Sequence, residues 1–241
     1  MLAAIAQAAS AVSYDDECVR YKVLYKWGLI NKQAGRATLC IRRGADRYQM
    51  SLVARSEPWA DRFYTVRDTL LGEAWIDGFR PVIYQKMSHE GNDDKHDVVR
   101  FEYSDNKVIG HCSRRVAKKG ELRVNQTQTL ESTGPTVDML TSYYYMRSLP
   151  FETWKPNSRF HLTIFSGKRK ERLTFRYHGL EDIKVGGRQY RCYHITFIFT
   201  GDGGKKTSDD MDAWITADAR RMPVQLEGKL AVGKVRCEVM D

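Results

Sequence analysis

His89, Asp93, Asp94 and His96 place imidazole and carboxylate groups, both ligands of divalent metals, in one short stretch. Their spacing matches no recognised ligand pattern. The interleaved Glu90, Gly91, Asn92 and Lys95 compose an exposed turn, so no metal site is expected. Gly201 to Thr207 reads GDGGKKT and invites comparison with a phosphate-binding loop. Such a loop needs Gly, then four residues, then Gly-Lys-Ser/Thr; here Lys206 follows Gly204-Lys205, and no glycine stands five residues earlier. The segment lies between two strand candidates and reads as a hairpin loop. The acidic run Ser208-Asp209-Asp210-Met211-Asp212 lacks calcium-loop spacing. Nucleophilic catalysis requires a Ser or Cys with a base and an orienting group, and no G-x-S-x-G elbow is present. No catalytic residue and no cofactor is assigned.

Cys18, Cys40, Cys112, Cys192 and Cys237 form no C-x-x-C pair, which argues against a zinc ribbon or a thioredoxin-type site. Disulfides fit an oxidising compartment, but the sequence does not choose among the pairings. The net charge of +9 favours anionic partners. Basic clusters recur at Arg42-Arg43, Arg114-Arg115, Lys118-Lys119, Lys168-Arg169-Lys170, Lys205-Lys206 and Arg220-Arg221. They read either as charge that keeps strand ends soluble or as a positive rim facing an anionic envelope surface. No RNA-binding aromatic signature appears, and nucleic acid is not expected as a partner.

The elements that must position these groups are mostly strands. The first residues, Met1 to Ala11, are uncharged and Ala-rich, and Ala9-Ser10-Ala11 supplies a small-x-small cleavage pattern. Residues 1–11 are therefore expected to be the remainder of a signal peptide, ahead of a single β-rich domain at 12–241. Export to the periplasm, or association with the outer membrane, follows. No later apolar run approaches the ~20 residues that cross a bilayer, so the chain is not expected to be transmembrane. Val19 to Ile30 alternates, with Val19, Tyr21, Val23, Tyr25 and Trp27 on one face. Similar short runs separated by Gly, Asn and Asp turns continue to Val239, with a break expected at Gly228. Helical spacing is read at Val66, Leu70, Leu71, Ala74 and Trp75, ending near Gly78, and again from Thr136 to Leu149. The second helix is apolar nearly all round, which implies burial on several sides. The fold class expected is mainly β: a large curved antiparallel sheet or open half-barrel, with one or two helices on the concave side.

Asp138-Met139-Leu140-Thr141-Ser142-Tyr143-Tyr144-Tyr145-Met146-Arg147 resembles the D-x-L-S-x-x-Y-x-x-R signature of an uncharacterised family of exported bacterial proteins, with Thr141 at the usual serine position. Trp214-Ile215-Thr216-Ala217-Asp218 through Val224 resembles that family's W-[IL]-[ST]-x-D-x-x-[RK]-x-P-[VL] stretch, and Tyr21 to Ala37 its opening. The resemblance implies a curved half-barrel with a helix on its concave side, similar in outline to periplasmic lipoprotein carriers. Such likeness of fold is weak guidance to function.

The leading expectation is a non-enzymatic envelope protein that binds an apolar or amphipathic, lipid-like ligand between sheet and helix. Trp27, Asp138, Ser142, Tyr144, Tyr145, Arg147, Trp214 and Asp218 are the candidate binding residues. An envelope scaffold working through an exposed sheet edge is the alternative, and a hydrolase of envelope polymers comes third. The ligand and the oligomeric state are not legible.

Overall fold

Alternation of apolar and polar side chains over most of the chain builds strands long enough to wrap into a barrel-like sheet. The computed structural model describes residues 13–201, 204–230 and 232–240; the expected signal segment at 1–11 lies outside the described residues. The strands are β1 (Glu17–Trp27), β2 (Ile30–Arg43), β3 (Arg47–Ser56), β4 (Val66–Trp75), β5 (Pro81–Glu90), β6 (Asp93–Ser104), β7 (Lys107–Lys118) and β8 (Glu121–Ser132). They continue with β9 (Thr136–Val137), β10 (Arg159–Phe165), β11 (Lys170–Val185), β12 (Arg188–Thr200), β13 (Met211–Thr216), β14 (Pro223–Lys229) and β15 (Lys234–Val239). A short helix α1 (Pro58–Asp61) follows β3, and α2 (Met139–Arg147) follows β9.

All belong to one 15-stranded sheet in the order β8-β7-β6-β5-β4-β3-β2-β1-β15-β14-β13-β12-β11-β10-β9. Nearly every neighbour is antiparallel, and β9–β10 alone is parallel. The chain thus meanders, and β1 closes onto β15 with Tyr21 opposite Val239. Where the two ends of the sheet meet, Ser132 Oγ donates to Thr163 Oγ1 (3.1 Å), and Gln128 Nε2 donates to the Gly167 and Lys168 carbonyls (3.2 and 2.8 Å). Phe165 reaches across this seam and stacks on Phe101 at 5.9 Å. Gly110 must lack a side chain there, because a Cβ would lie 2.4 Å from the Phe165 ring. Cys18 and Cys40, directly opposed on β1 and β2, form a disulfide. Cys112 and Cys192 are free and buried.

The helix expected at Val66 to Gly78 is instead strand β4. Leu70 and Ala74 fit both a helical and an extended period, so the pattern alone did not decide. Pairing with β3 and β5 supplies backbone partners along both edges and overrides the helical preference. Gly72 between them lets α2 approach: a Cβ there would sit 3.4 Å from Leu140 Cδ2. The second helix is present but shorter than expected, because Thr136–Val137 pairs with β10 before it begins. The last strand run ends at Lys229 and resumes at Lys234, so Gly228 lies inside β14 rather than at the break.

The core explains the all-round apolar character of α2. Leu140 and Tyr144 pack into a cluster with Tyr21, Ile41, Tyr48, Met50 and Tyr84. Tyr145, Met146 and Leu149 pack into another with Phe160, Leu162, Tyr193 and Ile215. The helix is therefore held between two clusters and presents no free face.

Candidate functional site

The residues singled out on α2 are committed to protein partners. Asp138 is fully buried and caps the helix: its Oδ1 accepts from Leu140 N and Thr141 N (2.8 Å each), and its Oδ2 accepts from Thr141 Oγ1 at 2.7 Å. Ser142 Oγ donates to the Met139 carbonyl. Tyr144 accepts from Tyr14 OH through its carbonyl, and its ring meets Tyr14 edge-on at 5.4 Å. Tyr145 stacks on Phe160. Arg147 is 2% exposed; it donates to Glu17 from both Nη atoms and to the Arg221 and Arg220 carbonyls from Nε and Nη2. Its guanidinium also lies 5.0 Å over the Tyr14 ring.

Those carbonyls belong to a turn built by Asp218, whose Oδ1 accepts from Thr216 Oγ1, Arg220 N and Arg221 N. Arg221, with φ of 45°, returns a bond to the Leu149 carbonyl and an ion pair to Glu152. The two sequence signatures therefore meet in space: one supplies Arg147, the other the carbonyls that receive it. Trp214 sits elsewhere, stacked on His194 at 4.7 Å and donating to Glu181 Oε2 at 3.0 Å.

Burial pushes the Asp138 pKa up from 3.8 to about 6, against the opposing bonds from Thr141 and Leu140. A carboxyl with a raised folded-state pKa stabilises the fold most below its unfolded value. That contribution is lost as pH rises through the window from 3.8 to about 6. The loss expected across the window is about 3 kcal/mol. Asp138→Asn keeps an acceptor for both backbone N–H groups and cannot ionise. The stability of the wild type relative to this variant, from urea midpoints, is expected to fall between pH 4 and 7; a constant difference would contradict the assignment.

The sheet–helix interface is filled, and the unfilled apolar space lies at the end of the barrel away from Arg147. Along β1 the inward side chains run Val19, Tyr21, Val23, Tyr25 and Trp27; the first two are buried, Val23 and Tyr25 half-buried, and Trp27 exposed. On β2 and β3 the series passes from Ile41, Leu39, Tyr48 and Met50 in the core to Gly35, Ala54 and Ser56. These small residues cannot fill the lumen, and a cleft of about 590 Å³ remains. Trp59, Ala60, Phe63 and Tyr64 from α1 and its following loop form one lip, and Leu230, Val232 and Val235 the other. Trp59 is fixed by donation from Nε1 to the Gln33 carbonyl (2.7 Å), and Tyr25 OH by donation to the Val232 carbonyl (3.1 Å). Gly233, with φ of 79°, permits the β14–β15 turn to approach, since a Cβ would lie 2.4 Å from the Lys26 carbonyl. The Ser56 hydroxyl is committed to Asp61, Arg67 and Val66 N, so the wall is overwhelmingly carbon.

Of the candidate binding residues, only Trp27 lines this cleft. The other wall residues escaped sequence reasoning because they come from separate strands and are individually unremarkable in type. The available signal was Trp27, Leu29 and Ile30 crowded around a turn glycine, and Phe63-Tyr64 in a loop, since apolar runs at exposed turns need a reason. The basic doublets do not ring the mouth; Arg114, for example, is bound to the buried Asp97 at 2.8 Å. His89 and Asp94 pair with each other across a hairpin. Among the described residues no group of three or more His, Cys, Asp or Glu converges as a metal site would require. A second concavity, lined by Lys107, Glu131, Lys170, Glu171 and Arg172, is polar.

Fold and cleft together define a barrel-like β protein, plugged at one end by a buried helix and open at the other as an apolar cleft. The chain belongs to the family described as Protein of unknown function (DUF3108), whose model matches residues 20–240. It is similar in fold to the crystal structure of a beta-barrel-like protein of domain of unknown function DUF1849 from Brucella abortus. That match has a TM-score of 0.61 and 11% identity, and covers 95% of this chain and 98% of the other. No curated protein matches the chain.

Proposed function

We propose that the protein is an exported binding protein whose cleft holds an apolar or amphipathic ligand such as a single acyl chain. The observation that carries this is the unfilled apolar space of about 590 Å³ walled by Val23, Tyr25, Trp27, Ala54, Trp59 and Val235. That volume lies within the ordinary range of small-molecule sites, roughly 300–1,000 Å³, which are mainly apolar. Export is supported by the Ala-rich start of the sequence and by the Cys18–Cys40 disulfide, a bond that persists in oxidising compartments. A carrier role in the envelope, of the kind the sequence resemblance suggests, is consistent with such a ligand.

The scaffold alternative would use an apolar sheet edge. The long edge strand β8 is instead largely polar, with Leu122 as its exposed large apolar residue, which favours the cleft. The test is a titration with a fluorescent sixteen-carbon acyl probe, read by energy transfer from tryptophan. Saturable one-to-one uptake is expected; absence of transfer at micromolar protein would remove the reading.

A further inference from the structure

The cleft mouth carries the densest exposed apolar surface among the described residues. Leu29 is 105% exposed at the β1–β2 turn and Phe63 83% exposed after α1; Trp27, Tyr64, Leu230 and Val232 are each about half exposed. They come from separate loops, yet all but Leu29 line one opening, and Leu29 stands between Gly28 and the lining residue Ile30. Exposed apolar side chains gathered this way on a charged protein call for a partner.

Charge says which partner. The acidic groups around the mouth are already neutralised: Glu57 by Arg36, Asp61 by Arg67, and Glu227 by Lys234 and Arg236. Lys26, Arg55, Arg62 and Lys229 are exposed and make no ion pair among the described residues, and Lys32 lies over the Trp59 ring. The result is apolar tips and aromatic side chains set among unpaired cations. That pattern suits the headgroup boundary of an anionic bilayer, where aromatics sit at the interface and basic groups face acidic lipid.

We propose that this end of the barrel docks on an anionic lipid surface, inserting Leu29, Phe63, Leu230 and Val232 so that the cleft opens directly onto the acyl layer. The inference rests on the cleft being a ligand site and adds the route by which an apolar ligand enters without crossing water. Each inserted large apolar side chain contributes roughly tenfold or more in partitioning. Each cation near the surface adds roughly fivefold at moderate salt.

The test is flotation of the purified chain with vesicles of phosphatidylethanolamine and phosphatidylglycerol, and with phosphatidylcholine alone. Co-flotation with the anionic vesicles, weak flotation with the neutral ones, and a drop of at least about tenfold for Leu29→Glu or Phe63→Glu are expected. Both side chains are exposed, so the fold is undisturbed, and Leu29→Glu, which lies outside the cleft lining, should still take up the acyl probe in solution. Ala54→Trp, which fills the cleft, should float like wild type. No flotation with anionic vesicles overturns the docking, as does wild-type flotation of Leu29→Glu and Phe63→Glu. Equal flotation on both vesicle types overturns its electrostatic part. Self-association in solution that Leu29→Glu abolishes would assign the surface to a second copy instead. Flotation without probe uptake would leave docking standing and remove the cleft reading.

Discussion

Replacing Arg147 by Ala should lower the stability of the fold by about 3 kcal/mol, the lower end of the cost of breaking a buried ion pair, since Arg147 is buried and Glu17 only partly so. The guanidinium satisfies Glu17 at the start of β1 and the carbonyls of Arg220 and Arg221 in the turn before β14, all from the last turn of α2. Burial works against its charge, but the bond to the Glu17 carboxylate and the nearby Tyr143 and Tyr14 together outweigh it and hold the guanidinium above its ordinary range. Without it, the two carbonyls and the Glu17 carboxylate lose their donor, and the plug loses its tie to β1 and to the turn before β14. Arg147→Lys should recover little, because an ammonium cannot reproduce the planar fork that bonds a carboxylate and two carbonyls together. A denaturant midpoint that shifts by the equivalent of under about 1 kcal/mol, within the range of an exposed ion pair, would contradict a structural role for this motif.

Filling the cleft should have the second large effect, on binding rather than on stability. Ala54 lies on β3 opposite Ala37 and Asp68, and its methyl group faces the open lumen. An indole there displaces the ligand from the part of the cleft that Ala54 lines. Losing contact with two or three methylenes at about 0.8 kcal/mol each lowers acyl-probe affinity by about 30-fold. The unfolding midpoint should move little, since the new ring enters empty space. Leu71→Trp, on the outward face of the neighbouring strand and 39% exposed, supplies the control and should bind normally. Equal affinity for Ala54→Trp and wild type would place the ligand elsewhere.

The architecture was largely legible because its cause is local. Alternation along Val19 to Trp27 and its counterparts fixes which face is buried, and the breaker Gly134-Pro135 followed by an apolar wheel marks the one substantial helix among the described residues. Val66 to Trp75 misled because Leu70 and Ala74 fit either period, and only the flanking strands decide between them. The site was less legible for a related reason. Asp138, Arg147 and Asp218 attract attention by type, yet chemistry of that kind also builds caps, buried ion pairs and turns, which is where the fold uses them. The cleft arises from what Gly35 and Ala54 lack, and an absence of side-chain volume on two strands carries no one-dimensional signature.

The central claim, that the cleft holds an apolar ligand, is tested most directly by native mass spectrometry of the protein purified without detergent, followed by solvent extraction. The expected spectrum carries a stoichiometric adduct that extracts as a lipid and is lost in Ala54→Trp. The bare polypeptide mass, unchanged after incubation with envelope lipids, would contradict the account.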